Sequence, residues 1–233
     1  MEHERRLGLI TGPIVLDDDS GSHDLRKSVW PGPRMGITGR VTVAHHEANH
    51  LLVVEKGAIF DRLREQEFPQ RHRCILACGV GYPSRAFHLL LRGLHDQLRL
   101  PFLVLADNDP GGYELFFLLA RGNAGNRGER RPALAIPDAA YLGLRARDYE
   151  SLGLNDWVTI ELSGAEKAQV ERLRSCPWLR HEDAWQRELE ALAAHGFKIE
   201  MEALASMSRS YLAEIYLPPR LSASDHLRLT AGH

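Results

Sequence analysis

Cysteine is scarce: Cys74, Cys78 and Cys176 are the whole complement of a 233-residue chain. So sparse and odd a set is no disulfide framework, and it points to free, buried thiols in a reducing compartment. Cys74 and Cys78 also lack the neighbouring soft ligands that a zinc site needs. Charge of one sign is equally lacking. Twenty-nine basic residues stand against 31 acidic ones, for a net charge of −2 and an isoelectric point near 6.6. Any binding of a polyanion must therefore come from a local basic patch, or from a metal that offsets acidic side chains. No apolar run approaches a membrane span, and Met1-Glu2-His3-Glu4-Arg5-Arg6 is not a signal peptide, so a soluble, intracellular chain is expected. Internal repeats and sustained heptads are absent too. What is present is ordinary for a globular core: 44% hydrophobic and 26% charged residues.

The apolar residues fall into a repeating order. Residues 7–16, LGLITGPIVL, read as two short strands broken by Gly12-Pro13. The polar, turn-rich stretch after them reads as loop, flanked by a strand candidate at 40–43. From Leu51, continuous apolar runs alternate with helix-periodic ones: LLVVE with AIFDRLREQEF, RCILAC with SRAFHLLLRGLHDQLR, PFLVLAD with YELFFLLARG. Short, fully apolar strands alternating with amphipathic helices mean βαβ units, an α/β fold with a parallel sheet buried on both faces. The expected division is residues 1–50 as strands and loop leading in, and 51–233 as the core with a helical C-terminal portion. Residues 122–131, glycine-rich and basic, read as a surface loop, and ALAIP and WVTIEL as further strands. Ser163 and Glu166 have capping-box spacing. Residues 183–216 read as helix with a break near Gly196, ended by Pro218-Pro219. Phe116, Phe117 and three tryptophans, Trp157, Trp178 and Trp185, read as packing residues.

Three features fall in one place. Glu55 ends the first core strand, Gly79-Val80-Gly81 follows the second, and Asp107-Asn108-Asp109 closes the third. Ligands of open parallel sheets bind beyond the carboxyl ends of the strands. Two aspartates around a tight turn, with a glutamate from a neighbouring strand, offer the hard oxygens that suit Mg²⁺. Gly111 and Gly112 after Pro110 let the next helix begin close by, where its N-terminus favours a phosphate. The plainer reading of a strand-end aspartate is a helix N-cap.

The segments LLVVEKGAIFDRL, GVGYPSRAFHLLLR, LPFLVLADNDPGGYEL and AIPDAAYLGLRARDYE, in this order, make the chain resemble a known family. It is the Toprim domain shared by the meiotic double-strand-break transesterase and its relative, the topoisomerase VI A subunit. The tail W-x₂-EL-x₆-G-x-K-x-E-x-EAL, closing on YLAEIYLP, is similar to that family's C-terminal helices, so the resemblance runs from about Leu7 to Leu221. It implies a Toprim-like fold, with Mg²⁺ on Glu55, Asp107 and Asp109 as the catalytic acids, acting on DNA in a type IIB topoisomerase-like assembly. It further implies a homodimer, a winged-helix chain or domain bearing the nucleophilic tyrosine, a B-type ATPase partner, and residence in the cytoplasm at the nucleoid, or in a nucleus.

The chain departs from the family pattern in two ways. The family's winged-helix domain lies ahead of the Toprim core, whereas few residues here precede the first family-like strand. Tyr82, Tyr113, Tyr141, Tyr149, Tyr211 and Tyr216 match no nucleophile motif, so this polypeptide is not expected to cut DNA unaided. A stand-alone Toprim binding module and a Toprim nuclease using metal-activated water remain alternatives. Relatives also carry G-K-G-Q-P-D where this chain has Gly79-Val80-Gly81-Tyr82-Pro83-Ser84, which removes a lysine contact to phosphate and leaves Ser84 as the helix cap. Arg85 and Arg92 after that turn, with Arg121 and Arg127 near the basic loop, are the candidate backbone-phosphate contacts. His46-Glu47-Ala48-Asn49-His50 matches the zinc-protease pattern, but it runs straight into a strand, where the two histidines share no helical face.

Overall fold

The computed structural model of the chain describes residues 8–32, 41–122, 132–224 and 226–230. By their internal contacts these form two compact units, Met1–Leu103 and Val104–His233.

The first unit opens with β1 (Leu9–Thr11), β2 (Ile14–Asp18), β3 (Gly21–Asp24), β4 (Thr42–His46) and β5 (His50–Val54). It continues with α1 (Gly57–Glu65), α2 (Phe68–Arg71), β6 (Cys74–Cys78) and α3 (Arg85–Leu98), and β7 (Phe102–Leu105) carries the chain into the second unit. Strand β6 lies between β1, antiparallel, and β5, parallel. The β5–β6 register runs from His50 beside Cys74 to Val54 beside Cys78. Every residue of β6 is buried, as are Leu51–Val54 of β5. That lack of alternation is the mark of a strand covered on both faces. The Leu51 N–H donates to the Pro101 carbonyl at 3.0 Å, just ahead of β7. The result is a mixed α/β fold with a parallel-containing sheet.

Beside it, β3, β2 and β4 form a small antiparallel sheet. Strand β3 falls where the sequence reads as loop. Asp18-Asp19-Ser20 turns into Gly21, whose φ of 129° suits glycine, and the chain folds back along β2. The rest of that expected loop, residues 33–40, lies outside the described residues, as do 123–131 of the expected basic loop. The zinc-protease match resolves as expected: His46 ends β4 and His50 begins β5, on two strands and no helix.

The second unit continues with α4 (Pro110–Arg121), β8 (Ala140–Tyr141), α5 (Asp148–Ser151), β9 (Thr159–Glu161), α6 (Gly164–Arg174), α7 (Asp183–His195), β10 (Phe197–Ile199) and α8 (Leu217–Leu221). Leu142 and Leu144 donate to the Val104 and Ala106 carbonyls at 2.8 and 3.1 Å, which lays the segment after β8 along the end of β7. Ser163 and Glu166 form the expected capping box. The aromatic core gathers on Trp185, which stacks on Phe116 at 5.0 Å and meets Phe117, Tyr113 and Tyr141 edge-on.

Four readings of this unit need correction. ALAIP forms no strand: Pro132–Leu134 is a 3₁₀ turn and the Ile136 N–H caps the Leu119 carbonyl of α4 at 2.9 Å. The tail is not one broken helix, because Gly196 at φ 68° turns the chain so that Phe197–Ile199 pairs with β9. Pro218 and Pro219 do not end the helical stretch: the π-helical turn Leu212–Tyr216 runs directly into α8, and the two prolines sit near its start. Trp157 is 71% exposed and packs no core.

Candidate metal centre

Beyond β7 the chain passes through Ala106 to Asp107, Asn108 and Asp109. Asp107 and Asn108 are buried, at 2% and 0% exposure. Asp109 caps α4, its Oδ1 accepting from the Gly112 N–H at 2.6 Å, so the N-cap reading holds for this residue. A carboxylate has two oxygens, and capping is compatible with ligation. A Cβ at Gly112 would come within 2.6 Å of the Asp107 carbonyl, which is why glycine starts this helix so close to the strand end.

Asn108 and Ile199 exchange backbone hydrogen bonds of 2.9 and 3.3 Å, drawing the end of β10 onto the aspartate turn. Immediately after it, the Met201 N–H donates to Asp107 Oδ1 at 2.7 Å. Glu200 and Glu202 flank that N–H. One ligand oxygen from each of Asp107, Glu200 and Glu202 lies within 4.8 Å of the other two. Three hard carboxylate oxygens, one buried and two half-buried, are a donor set that fits Mg²⁺. Carboxylates this close repel one another unless positive charge or N–H groups face them. The Met201 N–H is one such group. Lys198 is another: its ion pair with Glu166 at 2.7 Å holds its ammonium above the ordinary value, and Asp109 and Glu200 add to that.

Asn108 anchors the turn from behind. Its Nδ2 donates to Tyr113 Oη at 2.5 Å, and Tyr113 Oη donates to Glu188 Oε1 at 2.9 Å. Glu188, itself buried, also accepts from the Ala146 N–H at 2.5 Å and Arg145 Nε at 3.4 Å. Tyr141 Oη donates to the Asp107 carbonyl at 2.7 Å. Burial, with Glu188 nearby, keeps the Tyr113 phenol well above its ordinary value. Tyr216 is held up by burial and Asp148, and Tyr149 by its hydrogen bond to Asp156.

Glu55, half-buried, follows β5 in the first unit. Its carbonyl accepts from the Gly81 N–H at 3.1 Å, joining the strand end to the glycine turn. There Val80 adopts a φ of 54° and is 59% exposed. Burial raises the Cys78 thiol to about 11, with Asp61 and Glu55 adding to it. Ser84 caps α3 by accepting from the Phe87 N–H at 3.2 Å. Of the four arginines, Arg85 is exposed at the start of α3, Arg92 pairs with Asp96 at 2.9 Å, and Arg121 lies 4.4 Å over the Trp178 ring. Arg127 lies outside the described residues.

Sequence reasoning missed Glu200 and Glu202 as site residues. The signal was present: Glu200 and Glu202, just beyond Phe197-Lys198-Ile199, repeat the Asp107–Asp109 spacing.

The family model for the Toprim domain of topoisomerase 6 A-subunit/Spo11 proteins matches residues 50–221. Meiotic recombination protein SPO11-1 of Oryza sativa is 35% identical over 181 residues, 77% of this chain and 47% of the relative. The A subunit of type 2 DNA topoisomerase 6 from Pyrococcus horikoshii is 31% identical over 93% of this chain and 59% of its own. Meiotic recombination protein SPO11 of Mus musculus is 32% identical over 92% and 54%. The chain thus spans about half the length of these curated relatives. With a parallel-containing α/β fold and acids beyond its strand ends, the chain belongs to the Toprim family of topoisomerase 6 A-subunit/Spo11 proteins.

Proposed function

We propose that the chain is the Mg²⁺-binding, DNA-directed Toprim part of a type IIB topoisomerase-like transesterase. The observation that carries this reading is the approach of Asp107, Glu200 and Glu202 to within one ion's reach of each other in a chain of this family. Asp107 with Glu200 and Glu202, and Asp109 on the same turn, would hold one or two ions, and Glu55 is a candidate ligand on the family resemblance alone. When bound, Mg²⁺ stabilises charge developing on a phosphate and its leaving oxygen. The chain's own residues do the positioning: the Met201 N–H and Tyr141 fix Asp107, and Tyr113 with Glu188 fixes Asn108 between the two aspartates. The attacking tyrosine would come from a winged-helix domain or chain, because none of the six tyrosines stands in the family's nucleophile motif. The expected partners are DNA, a second copy of the chain and a B-type ATPase, in the cytoplasm at the nucleoid or in a nucleus. Among the described residues no helix is long and apolar enough to cross a membrane.

Supercoiled plasmid with Mg²⁺ tests the reading, with the chain alone and with a tyrosine-bearing partner. Protein trapped covalently on DNA ends only in the mixture supports the transesterase. Nicked plasmid with free ends marks a nuclease instead, and no break under any condition marks a binding module. Isothermal titration with Mg²⁺ checks the centre separately: Asp107→Ala is expected to lose at least tenfold in affinity, on the scale of ~1.4 kcal/mol per factor of ten. Equal binding by both proteins removes Asp107 from the site.

A further inference from the structure

A second constellation lies in the same unit as the aspartate turn, and it is basic. Arg145, Arg147, Asp148, Arg220 and His226 line a cavity of about 140 Å³ whose wall is Tyr141 to Gly143. That space is far below the roughly 300–1,000 Å³ of sites for drug-sized ligands, and it suits a tetrahedral oxyanion. Three guanidiniums face one carboxylate among these lining groups. Asp148 is buried and bound on every side: Oδ2 accepts from the Arg145 N–H at 3.0 Å and Tyr216 Oη at 3.1 Å, and Oδ1 accepts from Arg220 at 3.4 Å. Its charge is therefore tied to the frame of the cavity. Glu188 behind the wall takes Arg145 Nε, and Arg220 lies 3.8 Å over the Tyr216 ring. These contacts orient two guanidiniums, and a guanidinium carries five N–H donors in a fork. Holding a carboxylate from behind and meeting an anion in front are compatible.

The cavity is built against the aspartate turn. Tyr141, which lines it, donates to the Asp107 carbonyl, and Leu144 donates to the Ala106 carbonyl. A Cβ at Gly143 would stand 2.1 Å from that same Ala106 carbonyl. Glycine here is what lets the cavity wall approach the end of β7. Glu188 links the two places directly, bonding Arg145 on one side and Tyr113, hence Asn108, on the other.

We propose that Arg145, Arg147 and Arg220 form a phosphate subsite that holds a backbone phosphodiester of duplex DNA beside the metal centre. Fork geometry suits two phosphate oxygens at once. Such a contact positions the duplex without reading its sequence. The identity of the ligand as DNA rests on the function proposed above, whereas its identity as an anion rests on the cavity alone.

Two measurements on the full chain separate these. The first is titration with inorganic phosphate, followed by chemical-shift perturbation. Binding is expected for the wild type and a several-fold loss for Arg147→Ala, whose exposed side chain can be removed with the fold intact, as circular dichroism would check. The second is affinity for a short random-sequence duplex across a salt series. Arg147→Ala should weaken binding several-fold at every sequence and reduce the slope of log K against log salt by about 1, with Arg147→Lys restoring most of the slope. An indirect structural role would lower affinity and leave the slope unchanged. No phosphate binding, together with an unchanged duplex slope in Arg147→Ala, overturns the subsite while the DNA reading stands. Phosphate binding with an unchanged duplex slope overturns the backbone assignment in favour of a free-anion site. A wild type that takes phosphate but no duplex overturns the DNA reading, and the backbone assignment with it.

Discussion

The two units treat buried polarity differently. Among the described residues of the first, the buried polar side chains are Thr11, His88 and His95, all uncharged or able to be so, and the strands around β6 are apolar throughout. In the second they are Asp107, Asn108, Asp148, Glu182 and Glu188, four of them acids. A buried carboxylate costs several kcal/mol unless hydrogen bonds and opposite charge surround it. Each acid here is met. Glu182 takes the Thr230 N–H and hydroxyl, Asp148 takes Tyr216 and Arg220, Glu188 takes Tyr113, Ala146 and Arg145, and Asp107 takes Met201. The first unit behaves as a scaffold around an apolar core. The second holds a network whose members fix one another's positions, and that is where the candidate metal and phosphate sites lie.

The sharpest way to break this comparison is to remove one member of each core. Glu188→Ala leaves Tyr113, the Ala146 N–H and Arg145 facing an empty place, and it should cost about 3–5 kcal/mol as a broken buried ion pair. Leu76→Ala in β6 should cost about 2–5 kcal/mol by lost burial and cavity. The distinction is in Mg²⁺ affinity, which Glu188→Ala should weaken and Leu76→Ala should leave alone in the folded fraction. Calorimetric unfolding and titration read the two effects, and equal Mg²⁺ affinities would erase the contrast.

A smaller effect comes at the start of α6. Ser163→Ala removes a cap and should cost about 1 kcal/mol, measurable as a lowered urea midpoint. The smallest is a pH effect. Burial pushes the Glu166 carboxyl up, but hydrogen bonds from Lys198 and Ser163 outweigh it and bring the group from 4.5 down to about 2. Depressed in the fold, Glu166 contributes stability that is fully present above pH 4.5 and fades as pH falls toward about 2. The advantage of wild type over Glu166→Gln should therefore shrink across that window, and a constant difference would contradict it. Asp18 supplies the counterpart in the first unit, brought to about 2 by Ser20 and His23 against its own burial.

Much of the first unit was legible in the sequence because its signals are local. Apolar runs such as LLVV and CILAC mark strands covered on both faces, and Ser84 marks a helix start through a bond to the residue three positions on. The hairpin at Gly21 escaped because its strand, Gly-Ser-His-Asp, has no apolar alternation and owes its existence to pairing with β2. In the second unit, Asp107 and Asp109 were legible as strand-end acids, whereas Glu200 and Glu202 looked like part of a helical tail. They join the site only because Gly196 turns the chain and β10 brings its end to Asn108.

The sequence by itself determined the alternation of strands and helices, the strand-end position of Glu55, Asp107 and Asp109, and the family, because these follow from short-range periodicity and ordered motifs. Only the tertiary structure decided which other charges meet those acids. Glu200 is 93 positions from Asp107 in the chain and Glu188 is 75 from Tyr113, and no local propensity encodes a contact made by a returning strand and a packed helix.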